Sequence, residues 1–188
     1  MRVVATTTAI FAVVVGCSYP RSYDSLIMAK SGILVLGIGN YLLGDEGVGV
    51  HAVHQLERER FPTYVTLVDG GTGGFHLLSY FSDYETIVMI DATMDGQPAG
   101  SVRVLEPRFA SEFPRALSAH DIGLRDLIES AVLLGPLPKI YLVTVSIAEM
   151  QSLKTELSPA VAESLPKITQ VVHSLLNSIA DATQRSVS

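Results

Sequence analysis

The chain of 188 residues contains one cysteine, Cys17. A single thiol cannot form an intrachain disulfide, and it excludes a zinc site built from several cysteines. Cationic residues are scarce as well: Lys+Arg 13 against Asp+Glu 19 give a formal net charge of −6. A duplex nucleic-acid binder needs a cationic face to displace counterions, so this balance argues against that class. Charged residues make up 17% of the chain, below the roughly 25% usual in soluble domains. Even so, no apolar run reaches the roughly 18 residues of a membrane-spanning helix. What the chain does have is 48% hydrophobic residues, enough to bury one sizeable core and too many for disorder.

Residues 1–27 read apart from the rest. Ala9–Gly16 (AIFAVVVG) is apolar and runs into Cys17. Two readings stay open: a short export signal ending in a lipobox-like Val-Val-Gly-Cys, or a mis-called start with Met28 as the initiator. The single arginine in front and the short apolar core favour the second. Residues 28–188 are then expected to form one domain, with no repeat and no low-complexity linker.

Within that domain the runs with strand character are Ile33–Gly37, Tyr64–Val68, Glu85–Asp91, Ser101–Leu105 and Ile140–Ser146. They are rich in Val, Ile and Leu and mostly do not alternate, as expected of strands covered on both faces. Helical spacing lies between them. Gly47–Arg60 sets Val48, Ala52, Val53 and Leu56 on one side, and Ser118–Leu134 does the same with Leu124, Leu127, Ile128 and Ala131. Ser158-Pro159 is a cap and first-turn pair, and Pro166 predicts a short helix followed by a longer one to about Ser178. This alternation predicts an α/β fold, a three-layer α/β/α sandwich around a mainly parallel twisted sheet. Its sites should lie at the carboxyl edge of the strands.

The first strand opens into Gly37-Ile38-Gly39-Asn40-Tyr41-Leu42-Leu43-Gly44-Asp45-Glu46-Gly47. The loop is glycine-rich but unsuited to phosphate. Leu42 stands where a dinucleotide fingerprint needs its third glycine, and Asp45 where a triphosphate loop needs lysine. Two carboxylates there would repel phosphate oxygens. They start a helix instead; Asp45 is expected to cap it, which leaves Glu46 free to face the crevice.

Further candidates fall at the same edge. Asp69 ends the second strand and is followed by Gly70, Gly71, Gly73 and Gly74, which would let a bound peptide approach closely. Asp69 could equally be a turn residue bonded to its own backbone. Asp91 ends the third strand and could be structural or substrate-facing. His120 falls in the first turn of a helix, where the neutral imidazole able to bind a metal is favoured. His51 and His54 read as surface residues, and His76 and His173 as helical. Glu46, Asp69 and His120 together offer two oxygens and a nitrogen, a plausible open site for Ni²⁺ or Zn²⁺.

The blocks ILVLGIGNYLLGDEGVGVHAV, VDGGTGG, IDATMDGQPAGSV and SAHDIGL, in this order, resemble the hydrogenase maturation proteases. These endopeptidases trim the C-terminus of the [NiFe]-hydrogenase large subunit. The likeness covers most of Ile33 to about Leu176 and implies an α/β/α fold. It also implies that Glu46, Asp69 and His120 recognise nickel already installed in the precursor, with zinc or cadmium able to stand in for it in vitro. Asp69 and Glu46 would then be the catalytic carboxylates, and Gly70, Gly71, Gly73 and Asp91 would contact the substrate. The implied partner is the hydrogenase large-subunit precursor, met in the cytoplasm by a monomer, with no nucleic acid and no membrane involved. A non-catalytic metal-sensing or assembly protein of similar fold is the alternative.

Overall fold

A computed structural model describes residues 32–113, 124–151 and 153–187. The leading segment 1–27, the residues to either side of His120, and His120 itself lie outside the described residues.

Five strands build one sheet: β1 Ile33–Gly37, β2 Val65–Asp69, β3 Thr86–Thr93, β4 Val102–Leu105 and β5 Lys139–Ser146. Their order is β2-β1-β3-β5-β4. All neighbours are parallel except β4, which pairs antiparallel with β5 at one edge. The helices are α1 Val48–Leu56, α2 Leu78–Asp83, α3 Leu124–Leu134, α4 Pro159–Ala162 and α5 Leu165–Val187. The predicted α/β/α sandwich is what forms.

Strand alternation divides the core in two. Val35, Val88, Ile90, Val143 and Val145 turn to one face, where α1, α4 and α5 cover them. Leu34, Leu36, Ile87, Met89 and Leu142 turn to the other, under α2 and α3. Both faces are buried, which is why the strands read as continuous apolar runs rather than alternating ones.

Two helix boundaries differ from the sequence expectation. The first helix stops at Leu56, because beyond it Glu57–Arg60 offers no apolar side chain to the core. The last helix continues to Val187, well past Ser178. Ile179 still packs on the α1/α5 core, and no glycine or proline follows to stop the turn. Pro166 does not interrupt α5. It sits in the first turn, where its missing N–H is no loss.

The connection from β1 departs toward β2, and the chain then returns past β1 to β3. Loops leaving β1 and β3 therefore diverge, which opens a crevice at the carboxyl ends of these strands.

Candidate active site

The loop after β1 delivers Asp45 and Glu46 in a single 3-10 turn, Gly44–Gly47, and both are buried, at 2% and 8% exposure. Asp45 does not cap this turn or α1; neither has a side-chain cap. Its Oδ1 instead accepts the Ser158 N–H at 2.6 Å, and Gln151 Nε2 lies 3.5 Å from Oδ2. Asp45 thus ties the loop to the start of α4. The same strap adds backbone bonds from Gly44 N–H to the Lys154 carbonyl at 2.7 Å and from Lys154 N–H to the Leu42 carbonyl at 3.0 Å. Glu46 is held in place by a loop anchored on two sides. Asp45→Ala should lower stability by about 2 kcal/mol, the usual scale for a lost bond to a buried charge, as read in a urea melt.

The carboxylate that shares this space with Glu46 is Asp91. Burial pushes its carboxyl up from 3.8 to about 7; the Ala92 N–H opposes the rise, and the charge of Glu46 adds to it. Asp91 follows Ile87 and Met89 in alternation, so it emerges on the α2/α3 face of β3. An aspartate read as ambiguous from sequence is therefore the one coupled to Glu46.

Asp69 is placed differently. It continues the alternation of Val65 and Leu67 toward the α1 face. Its Oδ1 accepts the Gly71 N–H at 2.8 Å and its Oδ2 lies 3.0 Å from His54 Nε2. Both oxygens are engaged, one in the self-bonded turn that the sequence allowed. The glycines behind it are used mainly by the chain itself. Gly70 donates to the Gly37 carbonyl and Gly39 to the Gly71 carbonyl, each at 2.8 Å. Gly71, at φ +53, has open space where a side chain would be.

His54 is half-exposed, as expected of a surface residue, while His51 is partly buried. Tyr41 stacks on its ring at 4.7 Å, and its Nε2 donates to the Thr155 carbonyl at 2.9 Å. Burial lowers its pKa, against the bond to the Thr155 carbonyl, which raises it. Among the described residues, no three His, Cys, Asp or Glu side chains gather as a metal cage.

Comparison with known proteins is decisive at this point. A profile of hydrogenase maturation proteases matches residues 50–175. The hydrogenase 2 maturation protease of Escherichia coli is 34% identical over 157 residues, covering 81% of this chain and 96% of that protein. The chain belongs to the hydrogenase maturation protease family. The hydrogenase expression/formation protein HupM of Azotobacter chroococcum is 36% identical over 147 residues, covering 71% of this chain and 69% of that one. The solved structure of the maturating endopeptidase HybD from E. coli superposes with a TM-score of 0.68 at 34% identity, covering 78% of this chain and 93% of that one.

This maturation protease surrounds its Glu46–Asp91 edge with exposed apolar side chains from four loops: Tyr41 and Leu42 after β1, Phe75 after β2, Met94 after β3 and Leu153 after β5. Leu153 is 90% exposed and holds φ +49. Sequence reasoning did not find this rim, since the five residues are spread over separate loops. It also missed the strap formed by Gln151, Lys154 and Ser158. The one signal there, Ser158-Pro159, was read only as a helix cap.

No described helix is long and apolar enough to cross a membrane.

Proposed function

We propose that this protease removes the C-terminal extension of a [NiFe]-hydrogenase large-subunit precursor, and that it recognises the precursor by the nickel the precursor already carries. The observation that supports this is the convergence of Glu46 and Asp91. Burial, and to a lesser degree the charge of Glu46, drives Asp91 toward the neutral form. Such a pair suits a cation brought by the substrate, which would relieve the repulsion and draw both oxygens into ionic contact. Bound nickel would polarise the scissile carbonyl and acidify a water.

The roles of the chain's own residues follow from their placement. Glu46, fixed by the Asp45 strap, binds. Asp91, whose carboxyl lies near neutrality, accepts the proton of the attacking water, the pKa range in which a general base works best. His120 would complete the set from outside the described residues. Asp69 orients His54 and stabilises the glycine turn instead of joining the pair. The apolar rim receives the folded body of the precursor, while its extended tail enters beside Gly71. The reaction is placed in the cytoplasm, with a monomeric enzyme.

The test is incubation of the purified protein with nickel-loaded and nickel-free precursor, followed by mass spectrometry of the large subunit. A defined mass loss confined to the nickel-loaded sample is expected. Equal cleavage of both samples would refute nickel recognition. Tight binding without cleavage would favour the non-catalytic assembly protein.

A further inference from the structure

The α2/α3 face of the sheet changes character abruptly toward its carboxyl edge. Across the parallel β3–β5 pair, Ile87 sits beside Ile140 and Met89 beside Leu142; one step on, Asp91 sits beside Thr144 and Thr93 beside Ser146. Apolar pairs give way to polar ones, of which Thr93, Thr144 and Ser146 are buried and Asp91 is partly exposed.

Thr144 is the unexplained member. It is 1% exposed, and among the described residues its Oγ1 has no hydrogen-bond partner. Ser146 Oγ is likewise buried without a hydrogen-bond partner among the described residues, but it lies close enough to the Asp95 carboxylate to lower that group's pKa. A buried hydroxyl without a partner is costly, so its retention in a strand that could hold valine calls for a use. Solvent cannot supply the partner, since the oxygen is closed to a water-sized probe. The cross-strand neighbours can. On one side stands Asp91, on the other Arg103 of β4. Arg103 has no acceptor and its guanidinium is bonded to Asp95. Of these two cross-strand neighbours, only Asp91 offers an acceptor for the Thr144 proton.

We propose that Thr144 is a positioning residue for Asp91: its hydroxyl rotates to donate to one Asp91 oxygen when substrate is bound, which leaves the other oxygen aimed at the reacting centre. This rests on Asp91 and Glu46 being the working carboxylates. A threonine hydroxyl turns about one side-chain torsion, and catalytic hydrogen bonds often close only in the substrate complex. Carboxylates that hold metal ions are themselves held by such bonds, whose loss typically costs 10–100-fold.

The test compares Thr144→Val, which keeps the shape and removes the hydroxyl, with Thr144→Ser, which keeps the hydroxyl. On nickel-loaded precursor, Thr144→Val should lower kcat 10–100-fold with KM unchanged, Thr144→Ser should stay within about threefold of wild type, and the Thr144→Val Tm should equal or exceed that of wild type. A wild-type kcat in Thr144→Val overturns the proposal. So does an equally slow Thr144→Ser, or a Thr144→Val protein whose Tm falls by several degrees, since either marks a packing role. If the wild type fails to cleave, the functional reading fails instead, and Zn²⁺ titration of the three proteins by calorimetry decides. Weaker binding by Thr144→Val alone supports positioning of Asp91; equal binding by all three overturns it.

Discussion

Asp91→Asn should slow processing severely and at the same time stabilise the folded protein above neutral pH. The two effects share one cause. In the folded chain the Asp91 carboxyl titrates at about 7 instead of 3.8, because burial and then the charge of Glu46 oppose ionisation, despite the Ala92 N–H. A group whose folded pKa is raised holds its proton more tightly in the native state. Stability therefore falls as pH rises from about 4 to about 7 and stays reduced above that. The ceiling on this cost is about 4 kcal/mol, the free-energy equivalent of the shift. Asparagine keeps the size and can still accept from Ala92, but it has no charge to bury. Its advantage should be absent near pH 4 and full at pH 8, measured as the difference in denaturant midpoints. Processing moves the opposite way. Asparagine cannot take a proton from water, so the rate should drop by about 10²–10⁴, the usual contribution of a general base. A variant less stable than wild type at pH 8 would contradict the strain assigned to this pair, and near-normal processing would contradict its role. The opposition of the two effects is itself informative, since active sites are commonly held at some expense of stability.

The aspartate on which this turns shows where sequence reading reaches its limit. The strand runs were legible because a buried parallel sheet leaves continuous apolar segments, and Ile33–Gly37 was bounded to the residue. That Asp45 and Glu46 take different partners was legible, because two adjacent carboxylates at a turn cannot both face the same way; that Asp45 would cap the helix was not what formed. Asp69 and Asp91 were not separable. Each was expected to end its strand, although β3 continues to Thr93, and each follows apolar residues two and four positions earlier. Which face that alternation addresses is set by the helix laid over it, so β2 alone cannot reveal that Asp69 meets His54 of α1. The partner of Asp45 was hidden for a similar reason. A cap is a local pattern, whereas the Ser158 N–H lies 113 positions along the chain. The partial burial of His51 goes with Tyr41 folding back over α1, a contact made by the loop's path and not by spacing along the helix.

Gly49→Ala should prevent stable folding. Helix propensity alone points the other way, since alanine is favoured over glycine inside a helix by about 1 kcal/mol. Sterics reverse the sign. Gly49 lies in the first turn of α1, where the helix presses on the ends of β1 and β3. A Cβ built there collides with the carbonyl oxygens of Ile38 and Ile90 and with the Ile38 nitrogen. All three are backbone atoms, so no side-chain rotation can make room. Two of them form the bond from Ile38 N–H to the Ile90 carbonyl at 2.9 Å, which continues the β1–β3 pairing past the last strand residue. Relief requires either breaking that bond or lifting α1, whose Val48, Ala52, Val53 and Leu56 are buried against the same strands. The expected cost exceeds about 4 kcal/mol, reserved for the most disruptive substitutions, against a total stability of about 5–15 kcal/mol for a domain. Gly96→Ala provides the comparison: Gly96 has φ +74 but nothing within reach of an added Cβ. It should cost only the strain of a left-handed residue, about 1–2 kcal/mol. Equal urea midpoints for the two variants would show that α1 can move off the strand ends. The close approach that fixes Glu46 above β3 would then lose its steric basis.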